Sequence, residues 1–296
     1  MLTPEQLASY PESLIELYSQ AEADILADMA RRIITYDYFI PAAEHQYRKL
    51  EEMGNIRKDI IKSLSKLTGK TQDELKQLMS EAGADTLITD DKIYQKAGLS
   101  PVPIKQDKEL LTVLNAGYKK TDKLFRNLTK TTANTATKQF ENALDRAYMQ
   151  VKTGAFSYTT ATRNTIKDLS KQGLHSITYP SGHVDTIEVA VRRAVVTGIN
   201  QTSLQLQETR ADEMGCDLVE VSAHAGARPD HAEWQGQIFS RSGKHPKYDD
   251  FYKVTGYGTG AGLGGWNCRH NFRPYFEGMP RTYSKELLKS YDEREY

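Results

Sequence analysis

The sequence has no surplus of either charge: 39 Lys plus Arg stand against 39 Asp plus Glu in 296 residues. A protein that coats DNA over a broad face needs excess cations to release counterions, so this balance excludes a general nucleic-acid-coating role. Cysteine is nearly absent. Cys216 and Cys268 are the two present, which fits free thiols in a reducing compartment better than a disulfide framework. Long apolar runs are missing too, since no window approaches the roughly 18 apolar residues of a membrane span. Met1-Leu2-Thr3-Pro4-Glu5 shows no basic run leading into an apolar stretch. The expectation is a protein made and used in the cytosol, or inside something assembled there. A chain this long buries a sizeable core unaided, so its stability requires no cofactor, and none is expected.

What is present is helix after helix over the first two-thirds. Thr3, Pro4 and Gln6 form a capping-box arrangement, and Leu14, Tyr18, Ala21, Ile25, Met29 and Ile33 mark one apolar stripe at helical spacing. A second helix is expected through the forties and fifties, continuing over Ile60, Ile61, Leu64 and Leu67 to Gly69, with Thr71 and Glu74 capping a third. A helix-turn-helix reading around Gly69 is disfavoured, because Asp73 and Glu74 would face phosphates. The prolines of Gly98-Leu99-Ser100-Pro101-Val102-Pro103 mark a boundary or elbow, with helix resuming near Asp107. Asn127 to Thr137 is rich in Thr, Ala and Asn, and reads as an exposed connector. Further helices are expected to end at Gly154 and at Gly173.

The pattern then changes. Ser176 to Val184 reads as a small hairpin turning at Pro180-Ser181-Gly182, followed by a helix over about Thr186 to Met214, capped by Asp185 and Glu188, with Gly198 as its weak point. Leu218-Val219-Glu220-Val221 and Gln237-Ile238-Phe239 are strand candidates. The fold class expected is α+β: a predominantly helical N-terminal region with a small mixed C-terminal domain. Its divisions are a helical domain over 1–98, a helical continuation or linker over 99–175, and an α+β domain over 176–296.

Chemistry-bearing residues concentrate between Ser222 and His270, which hold four of the seven histidines and both tryptophans. His224, His231, Cys268 and His270 are ligand types that could close a tetrahedron around zinc, and in an extended segment Cys268 and His270 share a face. Their spacing is not a familiar zinc signature, so no metal is expected. A nuclease-like or transferase-like site would use His224 or His231 as proton shuttle, with Arg228 or Arg269 steadying a phosphate or oxyanion and His270 beside them. Nucleophilic catalysis by Cys268 needs a geometry that adjacency to Arg269 and His270 does not supply. The bland alternative ranks first: histidines bonding loop backbone, tryptophans packing a small core, and glycines letting 256–265 turn tightly. Gly256 to Gly262 resembles a phosphate-cradling loop, but no lysine-serine or lysine-threonine pair follows it.

Two blocks carry a family resemblance. Gly226, Arg228, Pro229, His231, Trp234, Gln235 and Gly236, followed by Gly265, Trp266, Asn267, Cys268, Arg269 and His270, resemble the phage minor capsid protein 2 family. They are similar, more distantly, to the Mu F-like head morphogenesis proteins, which usually end the second block Cys-Arg-Cys where this chain has His270. The helix containing Val189 to Arg193 and Asn200-Gln201 also resembles the segment that precedes these blocks, so the specific likeness covers about Ile177 to Gly278. The resemblance implies a structural protein of a tailed-phage virion, portal-associated and acting in head assembly, DNA packaging or delivery. The partners it implies are the portal protein, other head proteins and packaged DNA. The rival reading is an enzymatic C-terminal domain; a third, a DNA adaptor, rests on Lys119, Lys120, Lys123 and Arg126. An enzyme should bring His231, Arg228, Arg269 and His270 to one open pocket, and a scaffold should bury or scatter them.

Overall fold

The computed structural model describes residues 2–265 and 268–292. The family-motif residues Trp266 and Asn267 lie outside the described residues. The fold is mainly helical α+β, with small antiparallel sheets in the C-terminal region. The helices are α1 (Pro4–Ser9), α2 (Glu12–Thr35), α3 (Ala42–Lys66), α4 (Thr68–Lys96), α5 (Lys108–Lys152), α6 (Tyr158–Gln172), α7 (Ile187–Glu213), α8 (Pro229–Ala232), α9 (Phe251–Thr255) and α10 (Lys285–Asp292). The strands are β1 (His175–Thr178), β2 (Val184–Thr186), β3 (Leu218–Val221), β4 (Ile238–Ser240) and β5 (Phe272–Pro274).

The chain divides into two compact units, and both are discontinuous in sequence. The sheet unit comprises Met1–Tyr10, Leu75–Thr121 and Val195–Tyr296; the hairpin unit comprises Pro11–Glu74 and Asp122–Ala194. The division therefore falls inside α4, α5 and α7, and cuts across the three consecutive segments expected from sequence.

In the hairpin unit, α2 packs against α3 and α6 through the expected stripe, every member of which is buried. Pro11 breaks the opening helix in two, because a proline removes an intrahelical donor and is tolerated only near a helix start. The expected stop at Gly69 and cap at Thr71 are corrected. α3 ends at Lys66 with Leu67 as its C-cap, and α4 begins at Thr68 and runs through both residues, with Thr71 buried inside it. The exposed connector expected over 127–137 is likewise helix, the middle of the 45-residue α5. Thr132, Ala133, Ala136 and Thr137 are buried there, and the Thr132 hydroxyl lies 2.6 Å from that of Ser176 in β1. Small side chains give little periodic signal, yet they let neighbouring backbone approach closely, and that packing overrides weak propensity. Gly173 does end α6, at φ 67°. The hairpin β1–β2 forms antiparallel with its turn where expected.

Asp185 does not cap α7. It is buried in β2, where it pairs with Arg193 at 2.6 Å and accepts from the Tyr179 hydroxyl at 2.8 Å.

In the sheet unit the strand order is β4-β3-β5, all antiparallel. β5 escapes sequence reading because it ends in Pro274, which a sheet tolerates at an edge, and β5 is an edge strand. Val219, Val221, Phe239 and Phe272 of the sheet join Leu204, Trp234, Phe251 and Leu263 in one core cluster. Gly198 is a close-contact point and not a weak one. A Cβ there would lie 2.3 Å from Thr121 Oγ1, and one at Gly117 would lie 2.1 Å from Thr202 Oγ1. These reciprocal glycine-threonine contacts seat α5 against α7 within this unit.

Candidate functional site

β3 delivers the chain into a loop holding His224, and Pro229 opens the short helix α8 that carries His231. The second block arrives from the opposite side, just before β5. Three contacts tie it in place: Ser222 N–H donates to the Asn271 carbonyl (2.8 Å), Asn271 N–H donates to Ser222 Oγ (2.9 Å), and Asn200 Nδ2 donates to the Cys268 carbonyl (2.9 Å). Asn200 and its neighbour Gln201, which donates to the Gly264 carbonyl at 3.3 Å, are thus the positioning residues of α7. Sequence reasoning had them only as part of a resemblance, since nothing local says what a helix face will hold.

Cys268 and His270 are buried while Arg269 is exposed, the alternation of an extended segment. His224, Arg228, His231, Cys268, Arg269 and His270 line one pocket of about 230 Å³. The His224 and His270 rings stack with centroids 4.3 Å apart, and His231 meets His270 at 5.3 Å. Sγ of Cys268 lies 3.7 Å from His270 Nδ1. One ligand atom from each of His231, Cys268 and His270 falls within 4.8 Å of the other two. Gln235 braces the cluster: its Oε1 accepts the His224 backbone N–H at 3.1 Å and lies 3.2 Å from His270 Nε2. Arg228 contacts His231 Nε2 and donates to the Ala261 carbonyl at 2.6 Å.

The other motif residues serve the frame. Trp234 packs in the core, Gly226 and Gly236 take positive φ (72° and 67°), and a Cβ on Gly265 would lie 2.3 Å from the Gly260 carbonyl oxygen. The glycine-rich stretch 256–265 accordingly turns tightly. Its neighbouring pocket contains Glu208, whose carboxylate accepts from Tyr252 and Tyr257 and would repel a phosphate.

The convergence sought in an enzyme is therefore present, but the electrostatics do not activate a nucleophile. Burial, aided by the nearby His224, His231 and Arg228, holds His270 down to about 3, so its imidazole is neutral. Burial also pushes the Cys268 thiol above its ordinary range. A thiol and a neutral imidazole are not the ion pair that cysteine catalysis uses. The basic residues Lys119, Lys120, Lys123 and Arg126 are exposed along α5, and Arg126 is paired with Asp122 at 2.8 Å.

A helical α+β chain with two motif blocks locked together at the edge of a small sheet is the frame against which relatives can be compared. The family described as phage minor capsid protein 2 matches residues 2–296, and this chain belongs to that family. It is a phage structural protein. A protein of Lactococcus phage LL-H named "Structural protein" is 28% identical over 275 residues, covering 83% of this chain and 71% of its own length. No solved structure matches the chain. Among the described residues no helix is long and apolar enough to cross a membrane.

Proposed function

We propose that this chain is a minor head protein of a tailed phage that docks on the portal and acts in head assembly, DNA packaging or delivery. Membership of a minor capsid family carries the reading. One feature of the hairpin unit supports it. Exposed apolar side chains gather near the start of α3 and the end of α5: Phe39, Tyr47, Leu50 and Met149. They are brought near one another by the His45–Tyr148 stack (3.7 Å) and by Lys152 donating to the Phe39 carbonyl (3.3 Å). Apolar side chains clustered at the surface are what a protein partner covers. Zero net charge also argues against binding DNA by bulk electrostatics.

The test is co-expression with the portal protein encoded in the same phage genome, followed by size exclusion with light scattering. A stable complex that Tyr47→Asp with Leu50→Asp weakens at least tenfold supports the reading. Two separate peaks at micromolar concentration count against it.

A second reading, an enzymatic C-terminal domain, is favoured by the convergence of Arg228, His231, Arg269 and His270 on one pocket. Cleavage of nucleic acid by the purified chain, abolished by His231→Ala, would replace the structural reading.

A further inference from the structure

We propose that His224, His231, Cys268 and His270 form a tetrahedral site for a divalent transition metal, with zinc the ion their chemistry fits. Imidazole nitrogen and thiolate sulfur are the ligand types zinc takes, and these four side chains supply the four donors of a tetrahedron. Hard oxygen-seeking ions such as calcium or magnesium take mostly oxygen ligands, whereas the carboxylate beside this cluster, Asp230, is exposed, 3.5 Å from Arg228 and 4.0 Å from His231 Nε2.

The spacing agrees with that donor set. Zinc–sulfur and zinc–nitrogen bonds of about 2.3 and 2.0 Å at a tetrahedral angle put the two ligand atoms about 3.5 Å apart. Cys268 Sγ and His270 Nδ1 are 3.7 Å apart. His231 completes a group of three whose ligand atoms all lie within 4.8 Å of one another; His224 lies outside that group and enters through its ring stack on His270.

The fourth ligand is marked by an unsatisfied atom. His224 Nε2 is buried without a hydrogen-bond partner, while its Nδ1 lies 2.9 Å from the Ala225 carbonyl. A carbonyl oxygen can only accept, so it takes the Nδ1 proton and leaves a bare lone pair on Nε2, in the ring that stacks on His270. His270 shows the same division: Nε2 faces Gln235 Oε1 and Nδ1 faces the thiol. Orientation of a ligating imidazole by an oxygen on its other nitrogen is the usual outer-shell device of metal sites.

The three imidazole rings meet face to face and edge to face in one pocket beside the buried thiol of Cys268. An ion would be ligated by these neutral imidazoles and by the Cys268 sulfur, whose proton is released on binding. The ion would tie the loop after β3, helix α8 and the segment before β5 into one unit.

The test uses the full chain, purified from zinc-supplemented cells and analysed for metal after gel filtration. About one zinc per chain is expected, on the closed-site chemistry above. The stripped protein is then loaded with cobalt(II). Expected are intense visible bands of tetrahedral cobalt and a near-ultraviolet thiolate-to-cobalt band. Cys268→Ser should lose the thiolate band, and His224→Ala should keep it while holding zinc at least tenfold more weakly. Arg269→Ala, an exposed neighbour, should bind as the parent does. The proposal is overturned if the folded parent chain retains no zinc, or if Cys268→Ser binds as tightly as the parent. A cobalt spectrum without tetrahedral and thiolate bands also overturns it, whether or not the variants fold.

Discussion

Each unit contains a buried histidine, and the two are treated in opposite ways. In the hairpin unit, His45 has a partner on both nitrogens: the Tyr36 hydroxyl at 2.8 Å on Nδ1 and Asp145 at 2.9 Å on Nε2. Asp145 also accepts from Lys49 at 2.9 Å, and the His45 ring lies flat on Tyr148. In the sheet unit, His270 sits among two other imidazoles and a thiol, and the nearest carboxylate is exposed. The first is a satisfied structural network. The second also has a neighbour on each nitrogen, Gln235 Oε1 at 3.2 Å and the Cys268 sulfur at 3.7 Å, but neither carries a charge.

The largest effect expected from perturbing this contrast is at Glu220, the charged residue that the sheet unit does satisfy. Fully buried, it accepts from Arg273 and from the Thr282 hydroxyl at 2.8 Å. Glu220→Ala should lower unfolding free energy by about 3–5 kcal/mol in urea titrations, because Arg273 is left unpaired. A loss below about 1 kcal/mol would show that water replaces the carboxylate, contrary to its burial.

Acid comes next. His270 is depressed from 6.5 to about 3, so the unfolded chain takes up its proton first. Its contribution is fully present above pH 6.5 and is lost as pH falls toward 3, at about 1.4 kcal/mol per unit. The lowered carboxylates Asp145 and Asp185 lose their contributions only as pH falls below 3.8. Between pH 6 and 4 the contribution of His270 to the metal-stripped chain should therefore fall by about 3 kcal/mol, read as the difference in slope between the parent and His270→Gln, since His175 is lowered as well and Asp90, Asp91 and Glu213 are raised. An unchanged slope in that variant would place the titrating group elsewhere.

Asp145→Asn in the hairpin unit should cost about 1–3 kcal/mol, because the carboxylate is partly exposed and water compensates for some of its loss. Smallest is Arg146→Ala. Its pair with Asp168 is half exposed on both sides, and urea midpoints should move by no more than about 0.5 kcal/mol equivalent. A larger shift would mean that Arg146 packs rather than pairs.

Much of the architecture was legible in the sequence because it is written at short range. The Thr3 capping box, the α2 stripe, the proline-rich boundary before Asp107, Gly173 and the hairpin all depend on residues within a few positions of each other. The middle of α5 was not legible, since Thr132, Ala133 and Ala136 acquire their meaning from what packs on them. Asp185 and Thr71 have cap chemistry in sequence but are claimed by other contacts or by burial in the fold.

The site divides along the same line. The residue types at 224, 228, 231, 268, 269 and 270 marked the right part of the chain, and the extended stretch put Cys268 and His270 on one face. The sequence could not say that a loop after β3 and the approach to β5 meet. That meeting requires the β3–β5 pairing, Ser222 bonded to Asn271, and Asn200 reaching across from α7. Sequence alone thus determined the helical periodicity, the charge balance and the kinds of side chain available. Only the tertiary structure decided which of them share a pocket, because hydrogen bonds between segments 35 to 68 residues apart leave no local pattern.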